Sequence, residues 1–347
     1  MRIPVPLAWT LLLLTFFTAG LLRQFHDETP RSPYVPPVVG SLLFAGCVFL
    51  FLVAARERRC GAVPGPGVRL GSLTPLLLML LLEKWVSLSL YNPLFYWIAP
   101  HDESPARLDT WFRAFAGVGL LAVCLVVARF SVPTARETWR RASPRRWPPA
   151  VLQALVAAFA VYASLALLAW LLGGSFRLAW PRGGEMFVSI LVGQAVLAFA
   201  EEVYYRGLLL SEVERLAPRL GIRAAAGRRW TALGLTSALF GMEHLRLGVP
   251  WDQVGRQLVF AVALGLLFGV LTMLSANLHL AGALHAWINW TLLGLAPQFV
   301  DRSGQAVLPP GTYIGLALVA TLAVAFAARR IRSGEGGSPR LSADRSA

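Results

Sequence analysis

The sequence predicts an all-α fold, a polytopic transmembrane helical bundle of about ten spans. Three observations carry this. Apolar residues make up 56% of the 347 residues, and charged residues only 14%. The apolar residues are gathered into runs near the ~17–25 residues that a bilayer-crossing helix needs. Arginines fall in alternate connections between those runs, the pattern that orients helices in a membrane.

In chain order the runs are 5–22, 35–55, 73–98, 111–130, 150–172, 186–210, 230–247, 257–275, 278–295 and 313–328. The first follows Met1-Arg2 like a secretory signal, but it has no small-x-small cleavage pattern and reads as a span. Arginine-rich connections follow the second run (Arg56, Arg58, Arg59, Arg69), the fourth (Arg136, Arg140, Arg141, Arg145, Arg146) and the sixth (Arg215, Arg219, Arg223, Arg228, Arg229). The tail adds Arg329, Arg330 and Arg332, while the first and third connections carry Asp27, Glu28, Asp102, Glu103 and Asp109. By the positive-inside rule both termini are cytoplasmic, and the parity requires an even number of spans.

The Pro/Arg segment 140–149 is the best internal boundary. It separates an N-terminal region, 1–149, of about four runs with little buried polarity from a core at 150–295. A last run lies within 296–328, and the Gly/Ser/Arg composition of 329–347 predicts a disordered basic tail.

The formal net charge is +14. In a soluble chain this would suggest nucleic acid. Here the arginines flank apolar runs, so the bilayer and its anionic headgroups are the expected partner and nucleic acid is not. Lys84 is the only lysine, and with abundant Ala, Leu and Gly this bias points to a GC-rich bacterial genome and a cytoplasmic (inner) membrane. Cys47, Cys60 and Cys124 are too scattered for a disulfide framework or a metal cluster.

The polar residues inside the runs carry the chemistry. Glu201 and Glu202 end the sixth run, and each ionised side chain in a bilayer centre costs about 2.5–3.5 kcal/mol on insertion scales. Arg206 lies four residues after Glu202 in the favourable acid-before-base order. Glu201, about 100° round the helix, has no such local partner and must find one elsewhere in the chain. Glu83 and Lys84 point about 100° apart in the third run, which suits a tertiary ion pair or interfacial snorkelling. Late in the seventh run Phe240 and His244 share a face. In the ninth, His285 and Asn289 project side by side after small residues Ala281, Gly282 and Ala283. His279, at the turn before that run, reads as interfacial.

A carboxylate, two imidazoles and a carboxamide on three helices are the parts needed to activate water and stabilise an oxyanion. Glu201, His244 and His285 are also enough donors for a metal site, with Zn²⁺ the fitting ion. An H-E-x-x-H helix and a G-x-S-x-G elbow are absent.

Together, Glu-Glu-x-x-x-Arg at 201–206, Phe-x-x-x-His at 240–244 and His-x-x-x-Asn at 285–289 resemble the three motifs of the CAAX-processing and bacteriocin-processing (CPBP, Abi-like) intramembrane proteases. That family includes the CAAX prenyl endopeptidases. The resemblance covers roughly 150–295, a CAAX-protease-like core. It implies that Glu201 and His244 polarise the attacking water and that His285 and Asn289 hold the oxyanion. Glu202, Arg206 and Phe240 shape the site. It also implies a substrate that is a membrane-associated protein or peptide, cut near its C-terminal or membrane-proximal end: prenylated, a sorting signal or bacteriocin-like. Whether such a site works as a metalloprotease or as a glutamate protease stays open in the sequence. Two rivals are a proton- or cation-coupled transporter using the same polar residues, and an inactive scaffold or immunity protein.

One expectation is geometric. His285 lies about seven residues from the cytoplasmic end of its run and His244 about fifteen, a depth difference of about 12 Å at 1.5 Å per residue. The seventh run must tilt, start below the membrane surface, or bend near Gly241.

Overall fold

Leucine- and alanine-rich runs favour helices, whose backbone groups are satisfied within the segment even without water. The computed structural model describes residues 2–28, 35–60, 68–86, 105–129, 132–171, 177–179, 184–244, 250–292, 298–300 and 310–335. Over these residues the chain is all-α apart from two short ribbons. The first region forms α1 (Val5–Glu28), α2 (Val35–Cys60), α3 (Leu70–Val86) and α4 (Pro105–Ala128). A short, strongly amphipathic α5 (Val132–Arg141) and a 3₁₀ turn (Pro144–Arg146) lead into α6 (Trp147–Leu171). Then follow α7 (Gly184–Glu202), a π-helical stretch (Val203–Leu209), α8 (Leu210–Leu216), α9 (Ala225–Glu243), α10 (Trp251–Ser275), α11 (Leu278–Leu292) and α12 (Pro310–Glu335). Each predicted run coincides with a helix, although 87–98, 130, 172, 245–247 and 293–295 lie outside the described residues. So do 336–347 of the tail; its first part, to Glu335, continues α12 instead of being disordered.

Two helical stretches, Thr134–Leu167 and Trp251–Ser275, are long and apolar enough to cross a membrane, and Val5–Thr15, Ser41–Leu50, Arg113–Ala128 and Gly311–Ala327 are shorter apolar helices. α6 turns Leu152, Leu155, Phe159 and Trp170 outward, and α10 does the same with Val259 and Phe260. Apolar surface of that extent is unfavourable in water and suits lipid. The chain is a helical membrane protein.

Hydrogen bonds gather the arginine-rich connections at one end of the bundle. Trp9 Nε1 donates to the Leu220 carbonyl (3.0 Å) and Arg215 Nη2 to that of Ser72 (3.1 Å). Thr134 donates to buried Glu212 (2.8 Å), which also pairs with Arg215. Asn277 Nδ2 donates to the Arg146 carbonyl (3.1 Å), and Arg146 in turn donates to that of Ala276. His279 is structural here: it stacks on Phe199 (5.0 Å between centroids), and its Nε2 bonds the Ala142 and Ser143 carbonyls at 3.0 and 3.1 Å. Ribbon β1 (Arg2–Ile3) with β2 (Val68–Arg69) ties the starts of α1 and α3. Ribbon β3 (Arg177–Ala179) with β4 (Gln298–Val300) ties the connections that follow α6 and α11.

The segment after Glu202 extends beyond the predicted run, which ends at 210. The helix runs on through the π stretch to Leu216, about 20 Å beyond Glu201 at 1.5 Å per residue. Wider π turns accommodate Tyr204, Tyr205 and Arg206, all buried in one turn. Gly207 is required there, because a Cβ would stand 2.5 Å from Thr138 Cγ2. After a 3₁₀ turn (Ala217–Leu220) and left-handed Gly221 (φ 94°), α9 begins at Ala225, five residues earlier than expected. The helix runs unbroken through Gly241. That glycine instead lets α9 and α10 touch: a Cβ on it would lie 2.4 Å from Val262 Cγ2.

Candidate active site

The adjacent carboxylates close α7, where the register brings them under α11, and the neighbouring helix supplies what Glu201 lacked locally. His285 lies between the two acids. Its Nδ1 is 2.9 Å from Glu202 Oε1 and its Nε2 is 3.5 Å from Glu201 Oε2. Glu202 Oε1 also accepts from Arg206 Nη1 at 3.0 Å, the predicted i,i+4 pair. An ionised carboxylate only accepts, so the contact with Glu202 places a proton on His285 Nδ1, and the ring turns Nε2 toward Glu201. Two neighbouring acids thereby receive different surroundings. Glu202 is fully buried in a charge-paired network, whereas Glu201 retains 7% exposure.

Aromatic rings wall this network. The Arg206 guanidinium carbon lies 4.4 Å from the Phe240 centroid, 5.2 Å from Phe268 and 5.5 Å from Tyr205. Desolvated cation–π contacts of this kind contribute about 2 kcal/mol. Arg206 Nη2 also donates to the Gly265 carbonyl at 3.3 Å. His285 stacks on Phe268 (4.8 Å, 24°) and meets Phe240 edge-on (5.6 Å).

His244 is the residue expected to polarise the attacking water together with Glu201. It caps α9, is exposed, and its Nδ1 lies 2.7 Å from the Phe240 carbonyl. Because a carbonyl only accepts, Nδ1 carries the proton and Nε2 presents a lone pair. Its ring touches Phe240 at 4.2 Å, so this one phenyl contacts both imidazoles. Asn289 shares a face of α11 with His285 and meets Gln194 of α7 at 3.3 Å.

Several participants escaped sequence reasoning. Glu243, beside His244, is buried and accepts from the Tyr205 hydroxyl. Lys84 Nζ lies 2.8 Å from Glu243 and 2.7 Å from Glu83. Glu83 and Lys84 therefore pair with each other despite their angular offset, and also reach the core as a tertiary contact. The first region is thus not devoid of buried polarity. The available signals were an acid within the seventh run and a lone lysine within the third. Phe268 had none, being one apolar residue among many.

Glu201 and His285 meet, while Glu202 is engaged by Arg206 and His285. Among the described residues no three His, Cys, Asp or Glu side chains gather closely enough to hold an ion.

Residues 183–291 match the family model for type II CAAX prenyl endopeptidases, Rce1-like. This segment is similar to the CAAX-protease family. The matched stretch contains all three motifs and runs from the start of α7 almost to the end of α11. The chain matches no curated protein and no solved structure at a significant level. At the level of the family, the CAAX-type core is that of an intramembrane endopeptidase, a class whose substrates are membrane-associated peptides.

Proposed function

We propose that the chain hydrolyses a peptide bond near the C-terminal or membrane-proximal end of a membrane-associated protein, with Glu201 as the general base. The observation that carries this reading is the division of labour between the two acids. Glu202 is held by Arg206 and His285 Nδ1, leaving Glu201 as the partly exposed carboxylate beside His285 Nε2. In the first step water attacks the scissile carbonyl carbon and its proton passes to Glu201. His244 helps to orient that water. The carbonyl π electrons move to oxygen, and the oxyanion accepts hydrogen bonds from the Asn289 amide and, when Nε2 as well as Nδ1 carries a proton, from His285 Nε2–H. Collapse of the tetrahedral intermediate breaks the C–N bond, and Glu201 returns its proton to the leaving amine.

Support for a membrane-side assignment comes from the hydrogen bonds joining the arginine-rich connections at one end of the bundle, which is where positive-inside sorting would put the cytoplasm.

Glu201→Gln tests the base. It is nearly isosteric and cannot take a proton at neutral pH, so membranes carrying it should retain uncut C-termini that the wild type trims, read by C-terminal peptide mass spectrometry. Wild-type trimming by a normally expressed Glu201→Gln protein would remove Glu201 from the mechanism.

A further inference from the structure

Gln194 lies seven residues before Glu201 on α7, is 1% exposed, and sits between two helices of different origin. On one side is Arg113 of α4, outside the matched segment. On the other is Asn289 of α11. A guanidinium has only donors, so the end of the Gln194 amide that faces it must be oxygen. In that orientation Gln194 Oε1 accepts from Arg113 Nε at 2.8 Å and Nη1 at 3.1 Å. The NH₂ end of Gln194 then faces Asn289 across the 3.3 Å contact. Two NH₂ groups cannot face one another, so Asn289 turns its oxygen to Gln194 and its own NH₂ away.

We infer that Arg113 is a positioning residue which, through the Gln194 amide, sets the polarity of Asn289 so that its N–H donors are free for the oxyanion. This inference rests on the proposed peptidase reading and extends it to a helix outside the matched core. Arg113 touches neither substrate nor reacting atoms; it determines which end of a distant amide is presented. The close approach of α4 and α7 that makes this possible is built into Gly117, where a Cβ would meet the Leu197 backbone at 3.0 Å.

Gln194→Glu is the discriminating variant. A carboxylate keeps Arg113 satisfied, and gains a charge partner, but accepts at both ends. Asn289 must then turn its NH₂ toward position 194 and away from the oxyanion. With the full chain in proteoliposomes, and quenched fluorescent C-terminal CAAX peptides (farnesylated and unmodified) as probes, kcat should fall about 10²–10³-fold, the effect of losing one oxyanion donor. KM should stay within about twofold and thermal stability should not fall, since binding and packing are intact. In an Asn289→Ala background the same change should cost nothing more, because its target is gone. Arg113→Lys, which keeps a donor at that end, should retain more activity than Arg113→Met.

Wild-type kcat in a folded Gln194→Glu protein would overturn the relay, as would equal additional losses with and without Asn289. A fall in stability parallel to the fall in activity would reduce Arg113 and Gln194 to packing and would also overturn it. Glu201→Gln in the same assay separates the two levels. If it is inactive while Gln194→Glu is fully active, only the relay fails. If it turns over like the wild type, or if the wild type cleaves neither peptide, the peptidase reading and the relay fall together.

Discussion

Removing the single lysine should cost more stability than removing any exposed arginine. Lys84 is 2% exposed, with Glu243 at 2.8 Å and Glu83 at 2.7 Å, and Glu243 also accepts from Tyr205. Lys84→Met preserves side-chain length but leaves the carboxylate of Glu243, itself 3% exposed, without its cation. Breaking a buried ion pair from one side costs about 3–5 kcal/mol, a large share of the ~5–15 kcal/mol that separates a folded protein from its unfolded chain. With an unfolding entropy of about 2.1 cal/mol/K per residue, the 347 residues give ~0.7 kcal/mol/K, so the melting temperature should drop by about 4–7 °C. Lys84→Met with Glu243→Gln should recover most of this, because a neutral amide still accepts from Tyr205 and needs no cation. Glu83, at 13% exposure, retains access to solvent in both variants. Thermal scans of the full chain in one detergent would measure the difference. A single mutant melting within about 1 °C of the wild type, or a double mutant no better than the single, would refute the reasoning.

Arg206→Met should destabilise the protein by stranding Glu202, and adding Glu202→Gln should restore it, since Gln still accepts from His285; equal detergent stability of the two variants would contradict the pairing. On amphipathic α5, ahead of the apolar part of the Thr134–Leu167 stretch that begins at Trp147, the hydrogen bond from Arg140, with a further one from Arg141, holds the Glu137 carboxyl down at about 2 from the usual 4.5. The stabilisation from this largely solvated pair is therefore present above pH 4.5 and lost as pH falls to about 2. The stability gap between wild type and Glu137→Gln should be below ~1 kcal/mol at neutral pH and close across that window; a gap that widens in acid would reverse the sign. Finally, in a background lacking Cys47, Cys60 and Cys124, a membrane-impermeant thiol reagent on intact cells should label Gly311→Cys and spare Arg223→Cys. The opposite pattern would invert the topology.

The sequence by itself determined the helical membrane class, the positions of the apolar runs and the family motifs. These are local properties: run length against bilayer thickness, arginine placement in connections, and i,i+4 spacing. The Glu202–Arg206 pair belongs with them, because four residues on one helix suffice to bring the groups together. The partners of Glu201, Gln194 and Lys84 were decided only by the tertiary structure, since each contact joins residues far apart in the chain. His285 reaches Glu201 because α11 packs on α7, and Lys84 reaches Glu243 because α3 packs into the core. The π stretch after Glu202 also escaped sequence reading, because its wider turns answer to the burial of Tyr204, Tyr205 and Arg206 and to the contact of Gly207 with Thr138, neither of which leaves a periodic trace. The early start of α9 belongs to the same class, because it depends on where α8 ends.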